Sequence, residues 1–305
     1  MIAHTGGDLS RCEANRPEVR ADTALGAARP PRAAGTGRRP RRLALACLAA
    51  ICALGLAAGA AGAQAAEPEW TSDRPSITNS PAVLPPSALA LEAGLSYTGV
   101  RVGSRDVLTV PIKLRYGIAE RVELQLGWEP FGYADAAGRP GIAGLGDGLV
   151  GGRFSIADGE GALPALALEL GTELPAATRR PELGSGKPNP FAFLSLELAP
   201  LGWATLGLNA GVVLEGRRGE HRTFVAQEFV SGLLTLEVAG TFYPFAELAW
   251  FATHRDGDGD VALAGLGGVY RLTPRLSVDA ALFLGLTSES PDLTLSAGFA
   301  LLFGP

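Results

Sequence analysis

Leu276-Ser277-Val278-Asp279-Ala280-Ala281-Leu282-Phe283-Leu284-Gly285-Leu286-Thr287 places an apolar residue at every even position. Ser277, Asp279, Ala281, Phe283, Gly285 and Thr287 fill the odd ones. A period of two puts the even set on one face of a β-strand and the odd set on the other. After the turn-forming Ser288-Glu289-Ser290-Pro291-Asp292 the alternation resumes, with Leu293, Leu295, Ala297, Phe299, Leu301 and Phe303 set against Thr294, Ser296, Gly298, Ala300 and Leu302. Two such strands, each about ten residues long and joined by a short loop, have the length and pattern of a transmembrane β-hairpin.

The same grammar runs backwards through the chain. Leu89, Leu91, Ala93, Leu95 and Tyr97 share one face of a first strand, and Glu92, Gly94, Ser96 and Thr98 the other. A second sets Val110, Ile112, Leu114 and Tyr116 against Lys113 and Arg115; a third sets Val122, Leu124, Leu126 and Trp128 against Glu123, Gln125 and Glu129. A long loop is expected over Pro130–Gly146. Further strands are predicted near 147–156, 163–173, 191–198, 203–214, 223–238, 242–253 and 260–271, giving about twelve in all. Connections at 117–120, 157–161, 199–202, 239–241 and 272–274 are short, and those at 130–146, 174–190, 215–222 and 254–259 are longer. Short turns at one end and longer loops at the other mark an outer-membrane barrel.

An apolar strand face must be hidden in a second sheet, under helices or in lipid. No amphipathic helix of convincing length is visible after Ala66, which leaves a soluble sandwich or a lipid-facing barrel. The predicted fold is an all-β, closed, antiparallel up-and-down transmembrane barrel spanning 88–303. Closure removes the edge strands that would otherwise pair with other chains. Its lumen-facing register would carry Glu92, Lys113, Arg115, Glu123, Arg153, Glu169, Glu197, Glu237, Glu247 and Asp279, with Phe245, Phe251 and Phe283 making part of the wall apolar. Glu247 and Asp279 either tune solute choice or pair with Arg115 or Arg153. Twelve strands spaced about 4.8 Å and tilted about 40° enclose a backbone cylinder roughly 24 Å across, which side chains narrow to a path for one small molecule at a time.

The region before the barrel divides in two. Arg38, Arg39, Arg41 and Arg42, the apolar run Leu43–Ala61 and Ala63-Gln64-Ala65 read as a signal peptide with a long n-region over 1–65; a retained anchor is the competing reading. Residues 66–87, punctuated by Pro68, Pro75, Pro81, Pro85 and Pro86, read as an extended periplasmic or plug segment. The leader holds nine Arg and four acids, so 17 basic and 27 acidic residues remain after it, a formal charge of −10. That balance argues against nucleic-acid binding. Cys12, Cys47 and Cys52 all lie in the leader, so the remainder has no thiol for a disulfide, a zinc site or a nucleophile.

Several short motifs lead elsewhere and are weaker. Gly146, Gly148 and Gly151 match a dinucleotide-binding spacing, but a strand follows where a helix should start. Asp256, Asp258 and Asp260 resemble the start of a calcium loop, yet Gly267 stands where the final glutamate is required. His221 and His254, in predicted outer loops, would each need a serine and an orienting acid to serve a lipase- or deacylase-type barrel. No cofactor, metal or catalytic set is therefore expected.

Thr71-Ser72-Asp73-Arg74-Pro75-Ser76, Leu84-Pro85-Pro86, Leu91-Glu92-Ala93-Gly94, Tyr116-Gly117-Ile118, Arg121-Val122-Glu123-Leu124, Gly144-Leu145-Gly146-Asp147 and Leu272-Thr273-Pro274-Arg275-Leu276 resemble a family of outer-membrane barrels assigned to meta-pathway phenol degradation and transport. Gly285-Leu286-Thr287 and Ser290-Pro291-Asp292 extend the resemblance across the chain after the leader. It implies a Gram-negative outer-membrane location, contact with membrane lipid and the barrel-assembly machinery, and diffusion of small aromatic or other hydrophobic solutes. Such barrels commonly finish on an aromatic, whereas here Phe303 precedes Gly304-Pro305. A surface hydrolase or a purely structural barrel are the alternatives on the same scaffold.

Overall fold

The computed structural model describes residues 70–100, 105–136, 139–160, 163–177, 183–216, 224–254 and 259–304. The predicted leader, His221, Asp256 and Asp258 lie outside them. Among the described residues thirteen strands form one antiparallel sheet: β1 (Leu89–Val100), β2 (Arg105–Ala119), β3 (Val122–Ala136), β4 (Arg139–Gly144), β5 (Gly148–Glu160), β6 (Leu163–Leu174), β7 (Asn189–Leu201), β8 (Ala204–Gly216), β9 (Phe224–Leu236), β10 (Phe242–Thr253), β11 (Val261–Thr273), β12 (Leu276–Gly285) and β13 (Leu293–Phe303). Except at β4, neighbours in sequence are neighbours in space, and β1 pairs with both β2 and β13, the latter from Leu89↔Phe303 to Gly99↔Leu293. The ring is therefore closed.

One stave is made of two pieces. β4 pairs with the far part of β3 (Gly132↔Gly144), and β5 with its near part (Val122↔Phe154 through Trp128↔Gly148). Thirteen strands thus build a barrel of twelve staves. The loop expected over Pro130–Gly146 is instead mostly strand: Phe131 and Tyr133 continue the outward face of β3, and Gly132 and Ala134 its inward face. The chain folds back as β4 before breaking at Leu145–Asp147.

Side chains alternate as the period of two requires. Leu248, Trp250, Leu266, Leu284 and Phe299 are exposed outward, while Glu247, Ala249, Phe251, Ala281 and Phe283 point inward and are buried. An outer surface of leucines, ringed by Tyr116, Trp203 and Phe303 towards the short turns and by Trp128, Phe131 and Trp250 towards the loops, suits hydrocarbon flanked by interfaces. Leu248, 63 % exposed, lies mid-strand on β10. Leu248→Arg should cost about 2–4 kcal/mol of folding stability in lipid, checked by urea titration of refolding into vesicles.

Candidate functional site

The lumen has two chemically different walls. Along one hydrogen-bonded row of the sheet the inward residues run Glu123 (β3), Arg153 (β5), Glu169 (β6), Phe193 (β7), Gly211 (β8), Phe229 (β9) and Phe251 (β10). The row changes from ions to rings between β6 and β7. On the aromatic side Phe191 and Phe193 stack at 5.8 Å, Phe193 meets Phe229 edge-on at 5.5 Å, and Phe229 stacks with Phe251 at 5.9 Å. Val213, Ala249 and Leu263 extend this cluster, and Phe245, Ala281 and Phe283 form a second.

The segment 70–88 is threaded through the ring between these walls. Trp70 Nε1 donates to the carbonyl of Pro274 at the β11–β12 turn, 3.0 Å away. Further on, Ile77 packs against both aromatic clusters. The backbone amides of Ile77 and Thr78 donate to the Glu247 carboxylate, as does the Thr78 hydroxyl, which also reaches Ser231 at 2.7 Å. Asn79 pairs with Asn209 in the manner of a strand. With the Asn209 amide turned to suit its neighbours, its oxygen accepts the Asn79 N–H (2.9 Å) and its nitrogen donates to the Asn79 carbonyl (3.0 Å). Ser80 donates to Glu197 at 3.2 Å, the Leu84 amide to Glu123 at 2.9 Å, and the Ser87 amide to the carbonyl of Gly117 at 2.8 Å. Gly117 is needed for that last approach, because a Cβ there would run into the Pro85 carbonyl oxygen. Strand side chains thus supply hydrogen bonds that an extended, proline-rich chain cannot make within itself.

Asp73 is the electrostatic centre. Its carboxylate lies 2.7 Å from Lys113 Nζ, 2.8 Å from Arg153 Nη2 and 3.5 Å from Arg115 Nη1. Arg115 grips Glu123 with two parallel bonds of 2.8 and 2.9 Å and also reaches Glu92 at 3.1 Å. Arg153 bonds Glu169 and the Ala82 carbonyl. Burial alone would push the Asp73 pKa up, but the guanidinium and ammonium groups around it hold it well below the usual carboxylate range. At the neighbouring staves Arg74 bonds both oxygens of Asp279 and the hydroxyl of Ser296.

Of the residues singled out in the sequence, Glu92, Lys113, Arg115, Glu123, Arg153 and Glu169 are buried together around Asp73. Asp279 is buried beside that cluster against Arg74; Glu247, Phe245, Phe251 and Phe283 are buried on the aromatic side, and Glu197 is half-buried beneath Ser80. Two expectations need correcting. Glu237 does not face the lumen: β9 ends at Leu236, and Glu237 stands exposed in the turn before β10, where its amide bonds the Trp203 carbonyl. Neither Glu247 nor Asp279 pairs with Arg115 or Arg153; both are engaged by the threaded segment. His254 is exposed, 2.9 Å from Glu228, and among the described residues no acidic or histidine cluster could hold a metal.

Residues 72–303 match the family model described as "Putative MetA-pathway of phenol degradation". The chain belongs to that family. Among solved structures, an outer-membrane channel from Pseudomonas putida F1 is similar at a TM-score of 0.59 and 12 % identity, over 73 % of this chain and 97 % of that one. The NanC porin is similar at 0.50 and 10 %, over 71 % and 100 %. Identities this low establish a shared fold, that of outer-membrane channels. No curated protein matches.

In this phenol-degradation-family barrel the residues that sequence reasoning missed lie mostly on the segment: Asp73, Arg74, Thr78 and Asn79. Phe191, Phe193 and Phe229 were also missed, although Phe191 and Phe193 occupy alternate positions in phase with Ser195, and Phe229 is in phase with Ser231. Counting inward groups by phase along 191–195 and 229–231 would have found them.

Proposed function

We propose that this protein is an outer-membrane channel for small hydrophobic or amphipathic solutes, with residues 70–87 closing the lumen at rest. The supporting observation is the aromatic wall inside a closed ring: Phe191, Phe193, Phe229 and Phe251 form a continuous strip where a channel for sugars or ions would present polar groups. Large apolar side chains turned inward, away from lipid, have a purpose only if an apolar surface meets them. Ile77 supplies part of that surface now, and a solute would supply it when the segment yields.

Flux into liposomes separates this reading from its rivals. Toluene should enter faster through the reconstituted protein than through lipid alone, and a pentose of similar mass should not. Phe251→Ala removes the ring that is 1 % exposed at the end of the strip and should lower toluene flux several-fold without changing assembly. Equal toluene flux with and without protein would refute the channel. Ester hydrolysis lost in His254→Ala would favour a surface enzyme instead.

A further inference from the structure

Asp73 belongs to the threaded segment, but every cation that holds it belongs to the ring. Lys113 Nζ of β2 and Arg153 Nη2 of β5 meet on one carboxylate oxygen, Oδ2, at 2.7 and 2.8 Å, and Arg115 of β2 approaches the other to 3.5 Å. Together they keep the buried carboxyl ionised. The arginines have further acids on the ring itself: Arg115 bonds Glu92 and Glu123, and Arg153 bonds Glu169. Lys113 has none, since among the described residues its Nζ bonds Asp73 alone. When the segment yields, this ammonium stays on the wall of the closed ring and needs another anion.

The same short segment also serves the opposite wall. Ile77 packs against both aromatic clusters. Along the row Arg153↔Glu169↔Phe193 the cations and the rings stand two strand spacings apart, about 10 Å. The segment thus presents a carboxylate to one wall and an apolar side chain to the other, which are the two contacts that one amphipathic anion would make.

Resting on the channel reading above, we propose that Lys113 and Arg153 form a carboxylate subsite for an amphipathic monocarboxylate solute, and that Asp73 occupies it at rest as a built-in competitor. The head of the solute replaces Asp73 on Lys113 Nζ and Arg153 Nη2, and its apolar body replaces Ile77 on the aromatic side. Seating of the segment and binding of the solute therefore exclude one another. An alcohol of the same length leaves the ammonium unpaired, and an amine sets like charge against it. On the loop side Lys113 borders a recess that Glu129, Asp147, Glu169 and Glu173 also line. These acids repel a second negative charge, so the solute carries one carboxylate only.

Octanoate is the probe and 1-octanol its uncharged control. Their dissociation constants would be measured at pH 7 by ligand-detected NMR on the full barrel, in the same micelles for every protein, so that partition into detergent cancels in the ratios. Asp73→Ala removes the competitor, leaves the subsite free for a larger fraction of the time and should tighten octanoate about tenfold or more. Adding Lys113→Met to Asp73→Ala removes the ammonium, and should weaken octanoate about tenfold relative to Asp73→Ala, the size of one charge-assisted hydrogen bond. Octanol should shift less than about twofold on that second step. The double variant loses a cation together with an acid and so keeps the charge balance of the wall. Octanoate bound equally by wild type and Asp73→Ala, or equally by Asp73→Ala and the double variant, would overturn the subsite. Should the double variant fail to fold, the first comparison decides alone. Toluene flux separates this inference from the channel reading. Flux that persists while the octanoate affinities do not move refutes the subsite alone, and the expected affinities without any flux refute the channel alone.

Discussion

Removing residues 70–87 is expected to raise single-channel conductance several-fold in planar bilayers while leaving a barrel that still migrates anomalously until boiled. The segment bonds to side chains from β1, β2, β3, β6, β7, β8, β9, β10, β12 and β13, and so occupies the middle of the ring. The staves are paired to one another independently of it, through an unbroken circuit of antiparallel ladders. Loss of the segment therefore empties the lumen without opening the sheet. On the charged wall three cations, Lys113, Arg115 and Arg153, still face three carboxylates, Glu92, Glu123 and Glu169, so the emptied wall is neutral and hydrated. Conductance equal to that of the intact chain would mean that solutes bypass the segment.

Replacing Asp73 alone should have the second-largest effect. Asp73→Ala strips Lys113 of its ion-pair partner and removes one counter-charge from both Arg115 and Arg153. Breaking a buried, hydrogen-bonded pair of this kind costs about 3 kcal/mol or more, which should appear as frequent openings at neutral pH and as faster proteolysis near Asp73. The same link predicts a pH dependence. The Asp73 pKa is depressed in the seated state and ordinary when the segment is released. Its stabilisation is therefore fully present above the released-state value near 4 and is lost as pH falls through the lower, seated-state value. Wild-type openings should become more frequent below about pH 4, and the Asp73→Ala variant should lose the part of that response due to this carboxyl. A wild-type channel indifferent to acid, with Asp73→Ala equally silent at pH 7, would show that the ion cluster does not hold the segment.

How much of this was legible in the sequence follows from where a periodic signal exists. Strands with one face in lipid must alternate, so β12 and β13 could be read from Leu276 to Phe303 almost residue for residue, and the ring followed from the short turns between its staves. The signal weakens where glycine and alanine dominate. Between Pro130 and Gly146 only Phe131 and Tyr133 keep the beat, and the β3–β4 hairpin looked like a loop. At Glu237 the phase continued on paper past the end of the strand. The chain turns there through Ala239 and Gly240, both at positive φ (55° and 70°), and closes with the isolated bridge Val238↔Phe242.

The segment before the barrel had no period at all. Proline spacing showed that residues 66–87 are extended, but not which side chains they meet, since those contacts join residues up to 222 positions apart. One clue was available. Lys113 projects from a strand into a confined space, and a buried ammonium needs an acid. The strands offered several inward acids, of which Glu92, Glu123 and Glu169 are taken by the arginines, and Asp73 on the segment was one further candidate.

Because Cys12, Cys47 and Cys52 all precede residue 70, the described chain is free of thiols and a single pair can be introduced cleanly. Thr78 and Ser231 have side-chain oxygens 2.7 Å apart, one on the threaded segment and one on the inner face of β9. In Thr78→Cys/Ser231→Cys, mild oxidation should form a disulfide between two short side chains already in contact. The expected result is loss of maleimide labelling at both positions and a conductance that no longer rises in acid. Two thiols that stay as reactive as either one alone would contradict a segment seated inside the barrel.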